Sequence, residues 1–209
     1  MRARISQVLT LVSIGTFVVS LGVAAQQPPA GGAPGGGRGG GAPAGPGLTL
    51  TSTAWPDGGE IPAKHAGGMG VSPPLSWTNA PMGTVEFVLI MNDPEPVRPA
   101  GSVSGDILHW MMVKIPASTT SLPEGAGAAD SKALPAGARL VQPFRGPGAP
   151  AAGPRHHYTL TLYALNAPLE LAANADRAAV MAAMEGKVLA RGIFNGRFMQ
   201  SAAPAAAAR

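Results

Sequence analysis

Five side chains able to move protons or hold an anion lie at the margins of three apolar runs. Asp93 and Glu95, with Pro94 between them, follow the run Val85 to Met91; His109 lies in the run Ile107 to Ile115; His156 and Tyr158 open a third run. Imidazoles exchange protons near neutrality, donate to anions and bind metals, while a carboxylate orients or charges a neighbouring histidine. A zinc site would need His109, His156 and a carboxylate, but these come from separate segments with no H-x-H or H-E-x-x-H spacing. A serine hydrolase would need an activated serine, and no G-x-S-x-G turn occurs. An acid–base pair of histidines is a third chemistry. The fourth is an anion site, with His109, His156 and loop N–H groups as donors. Asp93 would then orient or charge a histidine, or receive an ammonium. Each residue also has a purely structural role open to it: His109 as a core histidine, Asp93 as a turn former before proline.

The elements that must position these groups read mostly as strands. Val85 to Met91 sets Phe87, Leu89 and Met91 on one face and Val88 and Ile90 on the other. Both faces are apolar, which predicts a strand in the middle of a sheet. Ile107 to Ile115 reads the same way. In the third run, alternation puts His156, Tyr158, Leu160 and Leu162 on one face, with His157, Thr159 and Thr161 on the other. His157 is therefore expected to be exposed, and His65 reads as a loop residue. Leu75 to Thr78 is a short strand after Pro73-Pro74, and Gly192 to Met199 a last one. A single helix is predicted over Ala175 to Leu189, capped by Asn174 or Asp176, with Val180, Met184 and Val188 at helical spacing. Residues 116–154 read as one long Gly/Pro/Ala-rich connection. The fold class is mainly β (α+β), antiparallel, without the βαβ alternation of a dinucleotide-binding fold. Antiparallel neighbours bring the end of one strand beside the start of the next, so all five groups can meet at one sheet edge. The loops Asp93 to Gly105 and Gly146 to Pro154 would rim a small-ligand pocket there.

Composition bounds the rest. A basic start with Arg2 and Arg4, an apolar stretch from Val8 and the ending Val23-Ala24-Ala25 predict a signal peptide over residues 1–25 and an exported, periplasmic or secreted protein. Residues 26–47, rich in Gly and Pro, have no apolar periodicity and read as a disordered tether; residues 201–209 read as a tail. The remaining stretch, 48–200, suits one domain with one core. Without Arg2 and Arg4, the 15 basic side chains fall to 13 against 11 acidic ones, a formal +2, and they form no cluster. Nucleic acid is therefore not an expected partner. The chain has no cysteine, which excludes disulfides, thiol catalysis and thiolate metal sites.

Taken in order, several short motifs resemble the phosphatidylethanolamine-binding protein family, in particular its bacterial members labelled Raf-kinase-inhibitor-like. They are Ser72-Pro73-Pro74-Leu75-Ser76-Trp77-Thr78-Asn79-Ala80-Pro81, Asp93-Pro94-Glu95, His109-Trp110, Leu122-Pro123-Glu124-Gly125, Phe144-Arg145-Gly146-Pro147 and Gly153 to Tyr158. The resemblance implies a central antiparallel sheet, a smaller second sheet and a few peripheral helices. It implies a small anion pocket for phosphate-type groups, formed by Asp93, Glu95, His109, His156 and Tyr158, with Gly146 and Pro147 on the rim loop. No cofactor, resident metal or catalytic residue is expected, with a small hydrolase using His109 and His156 as acid and base as the alternative. A phospholipid headgroup contact and a protein partner reached through the loops are both compatible with it. Two departures fall on the pocket rim. In Asp93-Pro94-Glu95-Pro96-Val97 the second acid is longer than the family's and the following loop is altered, and Gly146-Pro147-Gly148-Ala149-Pro150 is looser than the family's rim sequence. His157, expected outside the pocket, stands where the family has arginine.

Overall fold

The computed structural model describes residues 47–68, 70–96 and 105–201. The predicted leader, the tail beyond Ser201, the tether up to Pro46 and the loop 97–104 lie outside the described residues. In chain order the elements are β1 (Thr49–Thr51), β2 (Gly59–Glu60), a single 3₁₀ turn (Ala63–His65), β3 (Leu75–Thr78), β4 (Glu86–Asp93), β5 (Ile107–Pro116), β6 (Ser121–Leu122), β7 (Arg139–Gln142), β8 (His156–Leu165), α1 (Arg177–Met184) and β9 (Val188–Phe198). The main sheet has the order β2-β9-β8-β4-β5-β7, and a small sheet has the order β1-β3-β6. All pairings are antiparallel except β2 with β9. The expected mainly β architecture, with a second, smaller sheet, is the observed one.

β4 is central because its side chains have no polar face to give to water. Phe87, Leu89 and Met91 pack with Trp110, Met112, Leu160 and Leu162 under Leu50, Leu75 and Trp77 of the small sheet. Val88 and Ile90 pack on the other side with Met111, Val113, Val180 and Met184, beneath α1. Each such side chain contributes about 1.5–3 kcal/mol when fully buried, so the main sheet is held from both faces.

The pairing of β4 with β5 slips by one residue near the site. Met91 pairs with Trp110, but Asn92 pairs with Leu108, leaving His109 as the extra residue of a β-bulge. A second slip falls near Lys114, whose φ of 57° lies in the left-handed region. Such bulges let residues of both parities turn to one face.

Three sequence expectations are corrected. The helix is shorter than expected, because Gly186 adopts φ 73° and Val188 pairs with Leu165 as the start of β9. Val188 is thus an exposed strand residue, not a helix-core residue. Of the two candidate caps, Asp176 serves: its side chain accepts the Ala179 N–H at 2.9 Å. Residues 116–154 contain β6 and β7, and β7 forms the far edge of the main sheet. β7 is short and half-buried, with no clear alternation to reveal it. Finally, His65 is buried: it lies in the 3₁₀ turn, its Nδ1 is 2.6 Å from the Val71 carbonyl, and its ring packs against Trp55.

β9 passes so close to the Trp55–Ile61 segment that position 196 has room for hydrogen only. A Cβ on Gly196 would lie 2.5 Å from Ile61 Cγ1 and 2.8 Å from Trp55 Nε1, whereas one on Gly68 would meet nothing within 4 Å. Gly196→Ala is expected to cost about 1–3 kcal/mol of unfolding free energy in urea, with Gly68→Ala close to neutral. Equal denaturation midpoints for the two variants would contradict this packing.

Candidate functional site

β4, β5 and β8 deliver the chemistry-bearing groups to one end of the main sheet. Asn92 pairs with Thr159, so the antiparallel register carries Asp93 at the end of β4 towards Tyr158 and His156 at the start of β8. The bulge brings His109 to the same place, its ring edge-on to Tyr158 with centroids 5.1 Å apart. Asp93, His109, His156 and Tyr158 wall a cavity of about 240 Å³, with Arg145 and Gly148 to Pro150 on its rim. Asp93 and His109 are only 2% and 3% exposed, and Tyr158 is fully buried.

The hydrogen bonds fix each group. Asp93 Oδ2 lies 2.8 Å from His156 Nδ1, and Asp93 Oδ1 accepts the Glu95 N–H at 3.1 Å. The Gly148 N–H donates to the Tyr158 hydroxyl at 3.3 Å. His109 Nδ1 lies 2.7 Å from the Arg145 carbonyl oxygen, and the Arg145 N–H donates to the His109 carbonyl at 2.8 Å. A carbonyl only accepts, so Nδ1 of His109 carries the proton.

Burial dominates the electrostatics. It raises the Asp93 carboxyl above its ordinary value, against the lowering effect of the His156 hydrogen bond. It lowers the His109 imidazole, outweighing the Arg145 carbonyl and the Asp93 charge, so the ring is neutral at neutral pH. It also pushes the Tyr158 phenol well above the usual range, helped by the Asp93 charge.

The structure separates the remaining predicted residues from the cavity wall. Glu95 faces His157: its Oε2 accepts the His157 N–H at 3.0 Å, and its Oε1 lies 2.6 Å from the His157 ring Nδ1. Burial pushes the Glu95 carboxyl up, but the His157 and Asp93 hydrogen bonds win and hold it below its ordinary value. His157 is exposed, on the opposite face from His156, as alternation implies. Gly146 and Pro147 are buried against the 3₁₀ turn rather than facing the cavity. A Cβ on Gly146 would lie 2.5 Å from the Gly67 carbonyl, and the Gly67 N–H donates to the Pro147 carbonyl at 2.7 Å. These two residues dock the loop, and the next three line the cavity. The residue not singled out from sequence is Arg145. Its signal is its place beside Gly146, as the first charge after Pro143 in a run of small residues and prolines.

Asp93, Glu95 and His156 each offer one metal-ligating atom, all within 4.8 Å of one another. His156 Nδ1 is hydrogen-bonded to Asp93, and both Glu95 oxygens to His157, so we assign these residues no metal. A wider hollow of about 770 Å³ lies beside the N-terminus of α1, lined by Asp106 and Arg177. Those two charges neutralise each other in a bidentate pair at 2.7 and 2.8 Å, so neither is left to hold a ligand. Among the described residues, no helix is long and apolar enough to cross a membrane.

Comparison with known proteins agrees with this fold. Residues 51–199 match the family model described as phosphatidylethanolamine-binding protein. LppC of Mycobacterium tuberculosis, which its name classes provisionally as a lipoprotein, is 34% identical over 161 residues, 74% of this chain and 76% of its own. YbhB of Escherichia coli is 35% identical over 130 residues, 57% of this chain and 78% of its own. Among solved structures, E. coli YbcL, described as a new member of the mammalian PEBP family, superposes with a TM-score of 0.66 at 28% identity. That match covers 74% of this chain and 99% of YbcL.

The burial of Asp93 has a thermodynamic consequence. With its native pKa raised above 3.8, the carboxyl contributes stability that is complete below that value and lost as pH rises through the native pKa. Asp93→Asn removes this loss. Its urea midpoint is therefore expected to gain on the wild type as pH rises from about 4 to about 7. A constant difference across that range would show that Asp93 does not titrate abnormally.

Proposed function

We propose that this chain, which belongs to the phosphatidylethanolamine-binding protein family, is an exported, non-enzymatic binding module that takes phosphate-type groups into the cavity between β4, β5 and β8. The observation that carries the reading is the Asp93–His156 pair beside Arg145 in a small, part-polar cavity. When the pair holds two protons, as imidazolium with carboxylate or imidazole with carboxylic acid, Nδ1 is occupied by Asp93 and Nε2 carries a proton. An anion in the cavity favours that state. Arg145, which forms no ion pair among the described residues, adds a permanent cation at the rim.

Binding rather than turnover is supported by what lines the cavity. Its only side-chain hydroxyl among the described residues is that of Tyr158, which burial keeps protonated, so no activated hydroxyl nucleophile faces the site among the described residues. Export is supported by the basic, apolar leader ending in Val23-Ala24-Ala25 and by the lipoprotein name of LppC.

The test is a titration of the four imidazole NMR signals with inorganic phosphate. His109 and His156 are expected to shift, while His65, held by Val71, and His157, held by Glu95, stay in place. His156→Gln is expected to weaken phosphate binding by about tenfold or more, as loss of a charge-assisted hydrogen bond should. If phosphate leaves His109 and His156 unmoved, the reading is wrong.

A further inference from the structure

We propose that the cavity selects oxyanions that themselves carry a proton, namely hydrogen phosphate or the monoanion of a phosphomonoester, over sulfate and over phosphodiesters such as an intact lipid headgroup. This rests on the reading of the cavity as an anion site and adds which anion it takes. The carrying observation is the orientation of His109. Its Nδ1 donates to the Arg145 carbonyl at 2.7 Å, and a second bond, from the Arg145 N–H to the His109 carbonyl at 2.8 Å, ties the same two residues together. Turning the ring over would break the first bond inside a buried site. The tautomer is thereby fixed, and Nε2 of the neutral ring is a bare acceptor.

With Nδ1 engaged by the Arg145 carbonyl, Nε2 is the ring nitrogen left for the cavity. His109 is one of its walls, and Nε2 has no partner among the described residues. The charged and titratable groups facing His109 are Asp93 from β4, His156 and Tyr158 from β8 and Arg145 from the rim loop. Asp93 favours protonation of His109, whereas Arg145, His156 and burial oppose it, and burial is the largest effect. When the Asp93–His156 pair holds two protons, the proton on His156 Nε2 and the Arg145 guanidinium are the donors of the same cavity.

One acceptor with two donors is complementary to a P–OH beside a P–O⁻. The hydroxyl donates to His109, and the charged oxygens accept from His156 and Arg145. Sulfate and phosphodiesters have no such proton near neutrality. They would set a charged oxygen against the His109 lone pair and leave that acceptor unpaired, a penalty worth about tenfold or more in affinity. Phosphomonoesters lose their second proton with a pKa of about 6, so the monoanion is available for selection at neutral pH.

The experiment follows the His109 and His156 signals of the full chain during titrations with inorganic phosphate, sulfate, phosphoethanolamine and glycerophosphoethanolamine, first near neutrality and then in mild acid. The expected order near neutrality is phosphate and phosphoethanolamine ahead of sulfate and the diester by about tenfold or more. In acid, once His109 Nε2 gains a proton and becomes a donor, sulfate should tighten until the gap closes. His109→Gln, whose amide can present either oxygen or NH₂, should close the gap at neutral pH. Equal affinities for phosphate and sulfate in the wild type would overturn this inference and leave the anion site standing. Failure of all four ligands to shift either histidine would overturn both.

Discussion

β4 and β5 fall out of register by one residue at His109, and the functional end of the sheet depends on that slip. A regular strand would send His109 to the same face as Met111 and Val113, beneath α1. The bulge instead turns it towards Asp93 and Tyr158, while Trp110, its neighbour, still packs in the core under the small sheet. Two adjacent residues thus serve one face, which alternation forbids and an extra residue permits. The apolar faces of β4, clamped between the small sheet and α1, supply the rigidity that makes this displacement permanent.

Burial then sets the chemistry. Asp93 is buried at the end of β4, so its carboxylate is desolvated and depends on its hydrogen bonds to His156 and the Glu95 N–H. His109 is driven towards the neutral form by the same desolvation. Two histidines in one cavity therefore sit in different environments: His156 is paired with an acid, and His109 is tied to a carbonyl.

Alongside this pair runs a second one on the outer surface. Glu95 and His157 contact each other at 2.6 Å. This contact bridges the end of β4 and the start of β8, outside the cavity walled by Asp93, His156 and Tyr158.

Much of this protein is legible in the order of its residues. Apolar side chains on both faces of Val85 to Met91 require a central strand, and the alternation from His156 onward places His156 and Tyr158 inside and His157 outside. Those readings follow from the two-residue period of an extended chain, which is local information. Residue order alone does not reveal β7, the burial of His65, or the end of the helix before Val188. Each depends on a partner distant in the chain: β5 for Arg139–Gln142, the Gly146–Pro147 loop for the turn at His65, and β8 for Val188. The placement of His109 is of the same kind. Its type and neighbours announce a histidine near a strand start, but only the register between two strands decides which face it serves, because a bulge is a property of a pairing and not of either strand alone.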